Sequence, residues 1–180
     1  MIKTLVLTLV LSIPSAAFAA GSDSSNDSPP AKTKTSKKCK DGKVWHKETK
    51  SCLDAKSDLL TDHIRYDAVR ELAYAGRYAQ AQTVLAAMSD QKDTRVLTYY
   101  GFTNRKAGNI ELGMSYYKEA LAADPNNLLA RSYMGQGLVE SGDKIGAKMQ
   151  LAEIRKRGGE GRWPEVSLAR AIESGVGYSY

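Results

Sequence analysis

The chain has 180 residues, with 26 Lys plus Arg against 20 Asp plus Glu, a formal charge of +6, 42% hydrophobic residues and two cysteines. Beyond its first nineteen residues no stretch is long and apolar enough to cross a bilayer. A pI near 9.2 would suit a nucleic-acid partner, but the N-terminus removes that class.

That N-terminus has the form of a cleavable export signal. Lys3 supplies the positive start, residues 5–13 the apolar run, and Ala17-Phe18-Ala19 the small-x-small cleavage pattern. Cleavage near Ala19/Ala20 predicts a periplasmic protein, and Ala rather than Cys at position 20 gives no sign of a lipid anchor. Residues 20–38 are rich in Ser, Pro, Lys and Asp, too poor in apolar groups to offset ordering entropy, and are expected to be a disordered linker. The charge excess collects in eight lysines between Lys32 and Lys50, set against Asp41 and Glu48, whereas residues 58–161 hold 14 basic and 13 acidic side chains. The arm reads as a solvated linker or as a basic segment attracted to an anionic envelope surface.

Residues 39–57 contain both cysteines, Cys39 and Cys52. Export into an oxidising compartment predicts that they pair, and a loop of this length gains about 3 kcal/mol from the crosslink. Asp41-Gly42 signals a tight turn, with Val44 and Trp45 starting a short strand. His46 lies between the cysteines, but no fourth ligand has zinc spacing, and the redox spacing Cys-x-x-Cys is absent. The loop is expected to be structural and to share few contacts with the helices C-terminal to it.

Helical periodicity begins near residue 58 and is clearest over 94–127. Leu97, Tyr100, Gly101 and Asn104 form one apolar series, and Ile110, Tyr117, Ala120 and Leu121 a second. Gly108 and then Asn109, a stop and an N-cap residue, divide them, and Pro125 closes the unit. Gly76 and Gly142 stand in register with Gly108, 32 residues before and 34 after. Each second helix repeats a small residue and a large one four later: Ala81 and Leu85, Gly113 and Tyr117, Ala147 and Leu151. Small side chains let neighbouring helices approach while large ones fill the gap beside them.

At these residues the chain resembles the tetratricopeptide repeat (TPR) family, whose pattern runs W-x2-L-G-x2-Y, A-x3-F, P over 34 residues. The units are about 62–93, 94–127 and 128–161. The middle unit matches best, the third has Gly159 where proline would fall, and no unit keeps the tryptophan. The resemblance implies an all-α fold: a short α-solenoid of three TPR-like hairpins over 58–161. A small disulfide loop precedes it, a capping helix over 162–174 closes it, and 175–180 form a frayed tail.

Chemistry-bearing motifs are missing. No phosphate loop, G-x-S-x-G turn or H-E-x-x-H helix occurs, and the two histidines, His46 and His63, sit in no metal-binding pattern. Neither catalysis nor a cofactor nor a metal is expected. In TPR-like arrays the first helices line a concave groove. The resemblance therefore implies a protein or peptide partner held by Tyr66, Arg70, Thr98, Tyr99, Phe102, Arg105, Ser132, Tyr133 and Gln136, with Tyr and Arg as anchors. The two-lysine, two-asparagine carboxylate clamp of chaperone-binding members has no counterpart here. The expected role is an exported, non-catalytic interaction module or assembly scaffold. The rival reading is an envelope-binding protein that touches cell-wall glycan or anionic lipid through the lysine-rich arm and the Trp45 loop.

Overall fold

The computed structural model describes residues 33–177. The expected export signal, most of the expected linker and the last three residues of the tail lie outside the described residues.

Helices dominate. A one-and-a-half-turn helix α1 (Lys34–Lys38) leads into a hairpin of β1 (Val44–His46) and β2 (Ser51–Leu53). Seven longer helices come after it: α2 (Asp62–Tyr74), α3 (Tyr78–Leu85), α4 (Thr94–Lys106), α5 (Ile110–Ala123), α6 (Leu128–Glu140), α7 (Lys144–Lys156) and α8 (Trp163–Ser174). Each long helix packs on its chain neighbours, and α2, α4, α6 and α8 also touch one another in series. The fold is all-α apart from the small hairpin.

The boundaries obey local chemistry. Thr61, Asp93, Asn127 and Asp143 accept backbone N–H bonds as side-chain N-caps of α2, α4, α6 and α7. Asn109 stands at the N-cap position of α5 but makes no such bond. The aligned glycines Gly76, Gly108 and Gly142 share φ of +73°, +95° and +86°, the left-handed conformation that stops a helix without a Cβ clash. The helix expected to begin near residue 58 starts four residues later, at the Thr61 cap.

The small-and-large pairs are interior, except that Leu151 is only half-buried. Ala81, Tyr117 and Ala147 are fully buried. A carbon added to Gly113 would lie 2.8 Å from the Arg105 nitrogen and the Gly101 oxygen, so α5 rides directly on the α4 backbone. One added to Gly135 would meet the Leu168 side chain at 2.7 Å, which seats α8 on α6. Gly135→Leu is therefore expected to lower stability by about 1–3 kcal/mol. Thermal melting measures it, and a wild-type melting temperature would show that α8 does not pack there.

Two expectations for the N-terminal region are corrected. The linker does not extend through residue 38: residues 34–38 form α1, with Thr35 buried. Nor is the disulfide loop separate from the helices. Glu71 accepts hydrogen bonds from the Thr33 N–H at 2.7 Å and the Ser36 N–H at 2.9 Å, and from both hydroxyls. Arg77 donates to the Ser36 carbonyl at 2.9 Å and the Cys39 carbonyl at 2.7 Å. Val44 joins the main core, and Gly42 lies so close to Thr83 that an added carbon would approach within 2.8 Å. The physical reason is that the outer side of α2 carries Ala68 and Ile64 with no long helix before it to cover them. The disulfide segment covers that end and contributes Val44 to the core. The Cys39–Cys52 bond is present, with Cα atoms 5.6 Å apart.

Candidate functional site

Every one of the nine expected groove residues is buried. They also divide among three places. Tyr66, Tyr99, Phe102 and Tyr133 form one aromatic seam running from α2 through α4 to α6. Tyr66 meets Tyr99 edge-on at 5.6 Å, Tyr99 meets Tyr133 at 6.1 Å, and Phe102 meets Tyr133 at 4.8 Å. Tyr74 extends the seam by stacking on Phe102 at 5.8 Å, and its hydroxyl is hydrogen-bonded to that of Tyr133. Arg70 lies against the Tyr66 ring at 5.9 Å.

Arg105 occupies the second place. Its side chain is wholly buried, paired with Glu140 and donating to the Tyr117 hydroxyl at 3.4 Å. The third is polar packing between first helices and their successors. Thr98 receives a hydrogen bond from Asn127 at 3.0 Å. Ser132 bonds Ser167 of α8 at 3.0 Å, with the Gln136 amide 3.4 Å from both hydroxyls. The reading of these nine as an open binding stripe is thus corrected: their rings fill space between helices, and Thr98, Arg105, Ser132, Tyr133 and Gln136 hydrogen-bond internally. Burial raises the Tyr66 and Tyr99 hydroxyls above the ordinary value of 10 and pushes Tyr117 up to about 12, against the lowering pull of Arg105.

A concavity lies elsewhere, between the disulfide cap and the outer side of α2. It measures about 460 Å³, within the ordinary range for ligand pockets of about 300–1,000 Å³. The cap supplies Thr33, Thr35 and the run Val44, Trp45, His46, Lys47 and Glu48. The helix supplies His63, Ile64, Asp67, Ala68, Arg70 and Glu71. Spacings of three and four residues put these α2 positions on one side of the helix, while Val69 and Leu72 point into the core.

The walls are held firmly. Thr35 accepts the Trp45 N–H at 3.2 Å, and the Lys34 ammonium sits 4.5 Å over the indole. His46 is fixed by Thr49 at 3.1 Å. Glu71 is engaged at the start of α1, whereas His63 and Asp67, 3.6 Å apart, are exposed at the mouth. Among the described residues no group of three or more His, Cys, Asp and Glu is placed to hold a metal ion, and no helix is long and apolar enough to cross a membrane.

Of the nine expected residues, Arg70 borders this cleft; Trp45 belongs to it as well. The α2 side chains were missed. The available signal was the stripe His63, Ile64, Asp67, Ala68, Glu71, a half-apolar side of the first helix that nothing earlier in a hairpin array would cover. Comparison with protein-family models, curated proteins and solved structures gives no match.

Proposed function

We propose that this protein is a non-catalytic binding module and assembly scaffold of the cell envelope, and that its recognition site is the cleft between the disulfide cap and α2. The observation that carries this reading is the placement of Trp45, His63 and Asp67 around one rigid concavity, while the aromatic stripe is spent on internal packing. The serial packing of α2, α4, α6 and α8 and the recurring left-handed glycines support a tetratricopeptide-like array as the scaffold. The disulfide suits an oxidising compartment, in keeping with export to the periplasm.

Within this reading the lysine-rich arm adds general attraction to an anionic envelope, and the cleft adds specificity. The test is co-sedimentation of the mature protein with isolated envelope. Wild type and the exposed control Lys118→Ala are expected to sediment alike. Trp45→Ala should remain largely in the supernatant. Equal sedimentation of wild type and Trp45→Ala would place recognition outside the cleft.

A further inference from the structure

We propose that the cleft binds an uncharged saccharide segment; the proposal rests on the cleft being the recognition site. The first argument is charge. Glu71 already accepts four hydrogen bonds from Thr33 and Ser36, and its charge is offset by Arg70, another lining residue, which is buried against Tyr66. What remains at the mouth is Lys47 beside Glu48, and His63 beside Asp67. Lys47 and the nearby Lys34 offset the carboxylates of Glu48 and Asp67, so neither sign dominates. An anion would meet the carboxylates of Glu48 and Asp67, and a polycation would meet Lys47 and the nearby Lys34, so the site favours a ligand without net charge.

The second argument is the mixture of surfaces. Trp45 is half-buried and brings a flat, rigid, apolar ring. Lys34 sits over the ring but is not among the residues lining the cleft. Ile64 continues the apolar wall. Around this surface stand acceptors (Glu48, Asp67), a donor (Lys47) and an imidazole that can do either (His63). A sugar ring has the complementary construction: an apolar C–H face for the indole, and hydroxyls around its edge that both donate and accept. The bound hydroxyls would give hydrogen bonds to Asp67 and Glu48 and receive them from Lys47, while His63, 3.6 Å from Asp67, can do either. The volume accommodates a short segment rather than a long chain.

Calorimetric titration of the full mature chain tests this, with the N-acetylglucosamine trimer and maltotriose as uncharged probes. Tri-lysine, tri-glutamate and an end-blocked tri-alanine are the controls. At least one saccharide should bind at about 0.1–1 mM. Trp45→Ala and Asp67→Asn should each weaken it about tenfold or more, while Trp45→Phe restores part of the affinity. Circular dichroism melting of the Asp67→Asn chain, altered at an exposed position, should match wild type. The proposal is overturned if neither saccharide binds up to about 10 mM, if Trp45→Ala binds as wild type does, or if a charged or peptide probe binds instead. Loss of saccharide binding with envelope sedimentation intact would reject the saccharide alone. Absence of saccharide binding together with equal sedimentation of wild type and Trp45→Ala would reject the cleft as the recognition site.

Discussion

Tyr99→Ala and Tyr133→Ala are each expected to cost about 3–5 kcal/mol of folding stability, not merely to weaken binding. Both rings are fully buried and stand at the centre of the seam that joins α2, α4 and α6. Truncation opens a cavity bounded by Phe102, Tyr66 and Tyr74, aromatic neighbours that cannot collapse into it without leaving their own contacts. Denaturant unfolding measures the loss. A variant as stable as wild type would mean that the seam is loosely packed and reopen the concave side as a binding surface. Tyr99→Phe separates ring from hydroxyl and should be much milder. The hydroxyls of Tyr66, Tyr99 and Tyr117 also set an alkaline limit. Their folded-state values lie above 10, so between 10 and the raised value the unfolded chain releases protons that the folded chain keeps. Stability is complete below pH 10 and falls as the pH rises toward 12 and beyond, with a shallower fall expected in Tyr99→Phe.

Arg105→Ala is the second severe substitution, at about 3–5 kcal/mol. The guanidinium is wholly buried while its partner Glu140 is about one quarter exposed and shared with Lys106 at 3.4 Å. Removing the arginine strips Tyr117 of its buried donor and leaves the space beside Gly137, which the arginine stem fills, empty. The Phe102 ring loses the cation 5.8 Å away as well. Arg105→Lys should recover only part of the loss, because one ammonium cannot reach both the carboxylate and the Tyr117 hydroxyl as a planar fork does. Thermal and urea unfolding decide between this role and a surface role, for which Arg105→Ala would change stability by less than about 0.5 kcal/mol. Exposed Lys148→Ala is the control.

Much of the architecture was legible because it depends on local patterns. The periodicity of 94–127, the glycines spaced around Gly108 and the small residues Ala81, Gly113 and Ala147 each act within one or two helical turns. The corresponding helices, left-handed stops and close approaches are present. Two cysteines and an export-like N-terminus sufficed for the disulfide. The turn at Asp41-Gly42 was legible too: both residues have positive φ.

The fate of the tyrosines was not local. A tyrosine at a groove position and one in a seam between helices have the same periodicity. What separates them is how closely α2, α4 and α6 approach, and whether Tyr74 of one helix reaches Tyr133 two hairpins away. The N-terminal cap was hidden for a similar reason. Glu71 and Arg77 look like ordinary helix-surface charges until tertiary packing brings Thr33, Ser36 and Cys39 against them across more than thirty residues of chain. The sequence by itself therefore determined the seven long helices, their glycine stops and which cysteines join, but not α1. Only the tertiary structure decided which side of each helix meets water, because solvent exclusion is a property of neighbours brought together from distant parts of the chain. That decision moved the candidate site from the aromatic stripe to the cleft beside Trp45.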